Sequence, residues 1–131
     1  MERGYYSLSS PVWANFGQDR GLPISCFGSY IGDDMGSILY THAEVGMMTK
    51  YGGGTTGFFG DLRPRGAEIR DNGNSSGAVH FMRMFDSLID VVSQGAVRRG
   101  TFAAYLPLEH PDAEEFLDIR SEGNPIQHIN F

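Results

Sequence analysis

Apolar residues recur at three- and four-residue steps most clearly through Ala78, Phe81, Met82, Phe85, Leu88, Ile89 and Val92. That spacing lays one continuous stripe along a helix. Ser75, Ser76 and Gly77 supply start signals and Gly95 a stop, so a helix is predicted over Gly77–Val92. A second predicted helix, Asp34–Thr49, carries Met35, Ile38, Leu39 and Val45 in rough register, with acidic residues at its entrance where the helix dipole favours them. A third, Pro111–Arg120, is shorter, with proline in the first turn and Phe116 and Leu117 facing inward. Between them lie strand-like runs at Leu22–Tyr30, Gly57–Arg63 and Thr101–Pro107, and a fourth begins near Ile126. Strand alternating with helix predicts an α/β fold with right-handed crossovers, a largely parallel sheet and ligands at the loops off the strand ends. The last strand stops almost as it starts, so the sheet is expected to continue in residues outside this sequence.

Glycine makes up 18 of 131 residues, roughly twice the ordinary share of about 7%. The segments between the glycines keep their apolar period, so glycine here predicts turns and close backbone approaches rather than disorder. The net charge of −6 argues against a nucleic-acid polymer as partner. Five of the ten Lys and Arg residues nevertheless fall in two glycine-bearing stretches, as Arg63, Arg65 and Arg70 and then Arg98 and Arg99, which suits a small polyanion such as a nucleotide phosphate. One cysteine excludes an internal disulfide framework and an all-cysteine zinc site, and a reducing, cytoplasmic setting is expected. No apolar run approaches the roughly 20 residues of a membrane span, and Met1–Tyr6 lacks the apolar centre of a signal peptide.

Three segments carry candidate chemistry. Tyr51-Gly-Gly-Gly-Thr-Thr-Gly57 could let backbone N–H groups approach phosphate oxygens, but it lacks P-loop and dinucleotide-fold spacing and reads first as a plain tight turn. Ser93-Gln-Gly-Ala-Val-Arg-Arg-Gly100 joins a helix to a strand and combines flexible glycines with an amide and two guanidinium groups. Gln94 could hydrogen-bond a base edge and an arginine could grip phosphate, the plain alternative being a solvated basic turn. Cys26 stands in the alternating run Leu22, Ile24, Cys26, where a lone cysteine is ordinarily a small buried hydrophobe. His42, His80, His110 and His128 share no metal-ligand spacing, and Glu114, Glu115 and Asp118 read as a solvated helix face.

In order along the chain stand Leu8-Ser-Ser-Pro-Val-Trp-Ala-Asn-Phe-Gly17, Gly21-Leu-Pro-Ile-Ser-Cys-Phe-Gly28, Gly32-Asp-Asp-Met-Gly-Ser-Ile38 and Gly52-Gly-Gly-Thr55. Leu62-Arg-Pro-Arg-Gly66, Ser93-Gln-Gly95, Arg98-Arg-Gly100 and His110-Pro-Asp-Ala-Glu-Glu-Phe116 follow. Together they resemble the large, catalytic subunits of ribonucleotide reductases, the phage-like aerobic class I type above all. The resemblance implies the amino-terminal part of a ten-stranded β/α barrel over residues 1–131, without an ATP-cone domain. It implies that Cys26 is one of two cysteines that reduce the ribose and become a disulfide in each turnover, which supplies two electrons. Ser10, Ser25 and Arg98 would contact the substrate ribonucleotide. Asp33, Arg63 and Ile69, with Ser93 and Gln94, would bind a dNTP or ATP effector, Arg63 facing phosphate and Asp33 the sugar hydroxyl. The loop from Ser93 to Gly100 would relay the effector's identity to the substrate.

The same resemblance implies partners. They are the remainder of the large subunit, a small subunit that generates the radical at its own metal site, thioredoxin or glutaredoxin as reductant, and a second copy docked through helices 34–49 and 77–92. Val79 and Val91 on one helix, and Met47 and Met48 on the other, are expected to supply apolar surface to that copy. The radical-site Asn-x-Cys-x-Glu run, the second redox cysteine, the tyrosine pair and the carboxy-terminal cysteine pair of the family are absent, so the chain is expected to be a fragment that binds no cofactor and is inactive alone. The expected location is the cytoplasm, or the host cytoplasm for a phage-encoded chain. Two other readings remain: a piece of an adenosylcobalamin-dependent ribonucleotide reductase, and a non-catalytic nucleotide-binding regulatory module.

Overall fold

The computed structural model describes residues 26–93 and 100–121, together with the isolated positions 4, 7–8, 12–13, 16–17, 19, 126 and 129–130. Among them, strands β1 (Cys26–Tyr30), β2 (Gly54–Phe58), β3 (Thr101–Tyr105) and β4 (Ile129–Asn130) form one parallel sheet in the order β1-β2-β3-β4. Helix α1 (Met35–Lys50) links β1 to β2 and α2 (Ala78–Ser93) links β2 to β3. Helix α3 (Ala113–Leu117) and a 3-10 turn (Asp118–Arg120) follow β3. The expected α/β alternation is what the chain adopts.

The helices lie on one face of the sheet and pack on each other. Their shared core holds Phe59, Phe85 and Phe102, all fully buried, with Phe85 stacked on Phe102 at 5.1 Å and Phe59 edge-on to Phe85 at 5.4 Å. Such ring pairs add to the burial of their apolar area. Gly46 of α1 meets Leu88 of α2, where an added Cβ would lie 3.1 Å from Leu88 Cδ1, so the small residue lets the helices approach closely. His42 Nε2 contacts Met84 O at 3.1 Å across the same seam.

Both long helices stand within a residue of their predicted limits, but their buried faces differ from expectation. In α1 the buried stripe is Ile38, Thr41, Val45 and Thr49, while Met35 and Leu39 are exposed. Two threonines hold core positions there, which is why the apolar pattern is only rough. In α2, Val79 is buried against the core and only Val91 of the two off-stripe valines is exposed. The third predicted helix is shorter than Pro111–Arg120 because its second half tightens into the 3-10 turn. That change of period buries Ile119 and turns Leu117 outward, against its expected inward position.

Strand β2 is the larger correction. It occupies Gly54–Phe58 rather than Gly57–Arg63, pairing Gly54 with both Cys26 and Thr101. The turn is confined to residues 51–53, where Gly52 takes φ +81° and the Gly52 and Gly53 N–H groups cap α1 by donating to Thr49 O and Met48 O. The glycine-threonine run therefore serves as strand because the sheet needs small residues: a Cβ at Gly57 would lie 2.7 Å from the Phe102 ring. Residues 22–25 of the first predicted strand lie outside the described residues.

Candidate functional site

Beyond the carboxyl ends of β1 and β2 lies an open pocket of about 550 Å3. Asp33 and Asp34 reach it from the turn after β1, Arg63 and Ile69 from the connection after β2, and His80 and Phe81 from the first turn of α2. The sequence-expected residues Asp33, Arg63 and Ile69 thus come together, although thirty positions separate the first two.

The two adjacent aspartates divide their work. Asp34 is the N-cap of α1, its side chain accepting from Ser37 N at 2.8 Å, while Ser37 Oγ accepts from Gly32 N at 2.9 Å. The first bond satisfies an otherwise orphaned helix donor, and the second ties the incoming turn to the helix. Asp33 is left to face Arg63, accepting from its backbone N–H at 3.0 Å and from Nε at 2.8 Å. Arg63 Nη1 donates to Glu68 O at 3.2 Å. With about a third of each side chain exposed, the Asp33–Arg63 pair is reachable by a ligand.

The first turns of both long helices open onto this pocket, one through Met35 and Ile38 and the other through His80 and Phe81. Helix N-termini present a positive dipole end, which favours anions. Asn72, Asn74, Ser75 and Ser76 add neutral hydrogen-bonding groups, and Ile38, Ile69 and Phe81 an apolar floor. The arrangement fits a ligand with an anionic group, hydroxyls and a flat apolar part.

One wall is a hairpin that the sequence pattern did not reveal. Gly66 N donates to Ser75 O at 2.9 Å, Ser75 N to Ala67 O at 2.7 Å and Ile69 N to Gly73 O at 2.7 Å. Asp71 at φ +58° and Gly73 at φ +77° turn its tip. Its base is clasped by the segment after β3. His110 Nε2 donates to Leu62 O at 2.7 Å, and its Nδ1 accepts from Asp112 N at 3.1 Å, which fixes the ring's tautomer. Buried Asp112 accepts from Arg65 N and Ala78 N, and Glu115 grips the Arg65 guanidinium at 2.6 and 3.1 Å. The Glu115 hydrogen bond first, and its charge second, hold Arg65 above its ordinary pKa. Glu115 is thus ion-paired, on a helix face that stays solvated as expected.

The other expected residues lie elsewhere. Cys26 is exposed on the sheet face opposite the helices, not buried as a small hydrophobe. Ser93 ends α2, and its Oγ accepts from Gly100 N at 3.2 Å, which ties together the two ends of the Ser93–Gly100 loop. Ser10, Ser25, Gln94 and Arg98 lie outside the described residues. Among the described residues no helix is long and apolar enough to cross a membrane.

Residues 24–131 match the family model described as the barrel domain of ribonucleotide reductase. The solved structure of the class Id ribonucleotide reductase alpha subunit of Actinobacillus ureae is similar over 97% of this chain and 23% of that one, with a TM-score of 0.84 and 57% identity. The vitamin B12-dependent ribonucleoside-diphosphate reductase of Mycobacterium tuberculosis is 38% identical over 124 residues, 93% of this chain and 18% of the relative. The putative ribonucleoside-diphosphate reductase large subunit of Frog virus 3 is 32% identical over 128 residues, 98% of this chain and 21% of the relative. The chain spans about a fifth of the length of these relatives.

Proposed function

Since the chain belongs to the ribonucleotide reductase barrel-domain family, we propose that it forms part of a large subunit that reduces ribonucleotides to deoxyribonucleotides, and that its pocket is where a dNTP or ATP effector selects the substrate. The observation that carries this reading is the meeting of Asp33, Arg63 and Ile69 at the first turns of two helices. Phosphate suits Arg63, a sugar hydroxyl suits Asp33, and the base suits the apolar floor. Arg63 is paired with Asp33, so an effector has to share or replace that pair.

Cys26 is proposed as one of two redox thiols, with the second in the remainder of the subunit. Ribonucleotide and dithiol give deoxyribonucleotide, disulfide and water, the 2′-hydroxyl leaving as water and two electrons coming from the thiols. Exposure on the open sheet face supports this by leaving the sulfur accessible. Ser10, Ser25 and Arg98 are proposed substrate contacts, and thioredoxin or glutaredoxin the external reductant. The radical is assigned to a separate metal-containing small subunit on the strength of the 57% identity with a class Id alpha subunit. The relatives named vitamin B12-dependent keep adenosylcobalamin as the alternative.

A homodimer through α1 and α2 completes the proposal. Exposed Met47 and Val91, and an apolar groove along His42, Met84, Leu88 and Val91, leave surface for a second copy. Along α2, Ser93 lies roughly 18 Å beyond Phe81 of the pocket. Antiparallel pairing with a second copy would bring the partner's loop of residues 93–100 towards the pocket, as a relay from effector to substrate requires.

The test is a pair of variants in a completed subunit. Arg63→Ala is expected to weaken effector binding about tenfold or more, as loss of a charge-assisted contact does. Arg98→Ala is expected to blur substrate choice with little change in effector affinity. Equal loss of effector affinity in both, with substrate preference intact, would refute the assignment.

A further inference from the structure

Helix α2 lacks the local cap that its sequence promises. Ser75 Oγ accepts from Gly77 N at 3.1 Å, and the first helical N–H, that of Ala78, is taken instead by Asp112 Oδ2 at 3.0 Å, from 34 positions downstream. The same carboxylate accepts Arg65 N on Oδ1 at 3.1 Å and on Oδ2 at 3.2 Å. Asp112 is only 6% exposed and does not line the pocket. Gly77 is shaped around it: at φ +91°, an added Cβ would lie 2.7 Å from Asp112 Oδ2 and 3.0 Å from Arg65 N.

Arg65 and Ala78 are the two ends of the hairpin connection, and between them stand Ile69, Asn72, Asn74 and Ser75 of the pocket wall. A buried carboxylate that binds both ends at once fixes the distance between them, and with it the height of the wall above β2. Asp33 restrains the same connection at Arg63, but Asp33 lies inside the pocket and is open to a ligand. Asp112 is buried and lies outside the pocket lining, so a ligand there does not compete for its partners.

We propose that Asp112 is a positioning residue of the effector pocket, holding the hairpin wall and the α2 N-terminus in the spacing that a nucleotide needs. The proposal rests on the effector reading of the pocket. His110 supports it by donating to Leu62 O and accepting Asp112 N, so the segment after β3 meets the hairpin base at two points.

The experiment measures binding of each of the four dNTPs to a completed subunit by equilibrium dialysis, which gives affinity and the number of competent sites separately. Asp112→Asn keeps one carbonyl oxygen in place and is expected to raise Kd about fivefold at unchanged stoichiometry, the effect of about one hydrogen bond. Asp112→Ala is expected to raise it further, so that asparagine is a partial rescue. Glu115→Gln, on the exposed side of the clasp, is expected to stay within about twofold. A merely structural role would lower the number of sites in proportion to the unfolded fraction and leave Kd alone. That result, or unchanged Kd in both Asp112 variants, overturns the proposal. Absence of binding by the unaltered completed subunit removes the effector reading itself and Asp112's role with it, and this failure appears in a different arm. Should Asp112→Ala not fold, the ratio between the unaltered subunit and Asp112→Asn decides alone.

Discussion

The two faces of the sheet come from alternate residues of the same five-residue strands, yet they are in opposite conditions. On the helix side Thr55, Gly57, Phe102 and Ala104 are buried. On the other side Cys26, Gly28, Tyr30, Thr101 and Tyr105 are exposed, with Tyr30 stacked on Phe58 at 6.2 Å. Because side chains alternate with period two, one strand can belong at once to a finished core and an open surface. The core that holds this chain together is therefore separate from the surface on which its proposed redox chemistry depends, and substitutions on the two faces should report different things.

The largest contrast should come from Phe102→Ala, which removes a fully buried ring packed on Phe59 and Phe85. A loss of about 3–5 kcal/mol is expected in urea unfolding, a large share of the stability of a small domain. If the variant unfolds at the same midpoint, the helix side is not the structural core.

A sharper comparison uses two glycines in adjacent strands. At Gly57 an added Cβ lies 2.7 Å from Phe102 Cζ and 3.1 Å from Phe59 Cε2, whereas at Gly28 the nearest atom, Thr56 Oγ1, is an ordinary 3.4 Å away. Gly57→Ala is expected to cost about 1–3 kcal/mol through overpacking, and Gly28→Ala to stay within about 0.5 kcal/mol. Similar melting shifts for the two would erase the difference between the faces.

The smallest effect on stability, and the greatest on function, is expected from Cys26→Ser. Unfolding should move by no more than about 0.5 kcal/mol, while deoxynucleotide formation by a completed subunit should disappear. In the unaltered chain a thiol reagent should label Cys26 without prior unfolding, as its exposure requires.

Helices α1 and α2 were legible because stripe, start signals and stop signals agreed, and even there the core threonines of α1 hid half its buried face. Strand β2 was not legible, since glycine has one meaning in a turn and another where an aromatic ring crosses a strand. Nor was Asp112, because a cap supplied from 34 residues away leaves no local pattern. The meeting of Asp33, Arg63 and Ile69 could be anticipated only through resemblance to a family: the motifs name the residues, but spacing alone brings none of them together. Cys26 shows the reverse, an ordinary alternating run that suggested burial on a face that is in fact open.

The strand order β1-β2-β3-β4 means that the winding of the sheet never reverses within the described residues. In sheets wound both ways, a crevice opens at the reversal and holds the ligand without further construction. An open sheet wound one way has no such crevice, and among the described residues the concavity at the strand ends is made by a connection long enough to fold on itself. The turn from β1 to α1 uses only residues 31–34, and that from β3 to α3 residues 106–112, whereas the connection from β2 to α2 runs through 59–77. Such turns usually take about 2–6 residues. The excess length is the hairpin, a local annex that, clasped by the segment after β3, supplies the ligand cleft this topology does not provide.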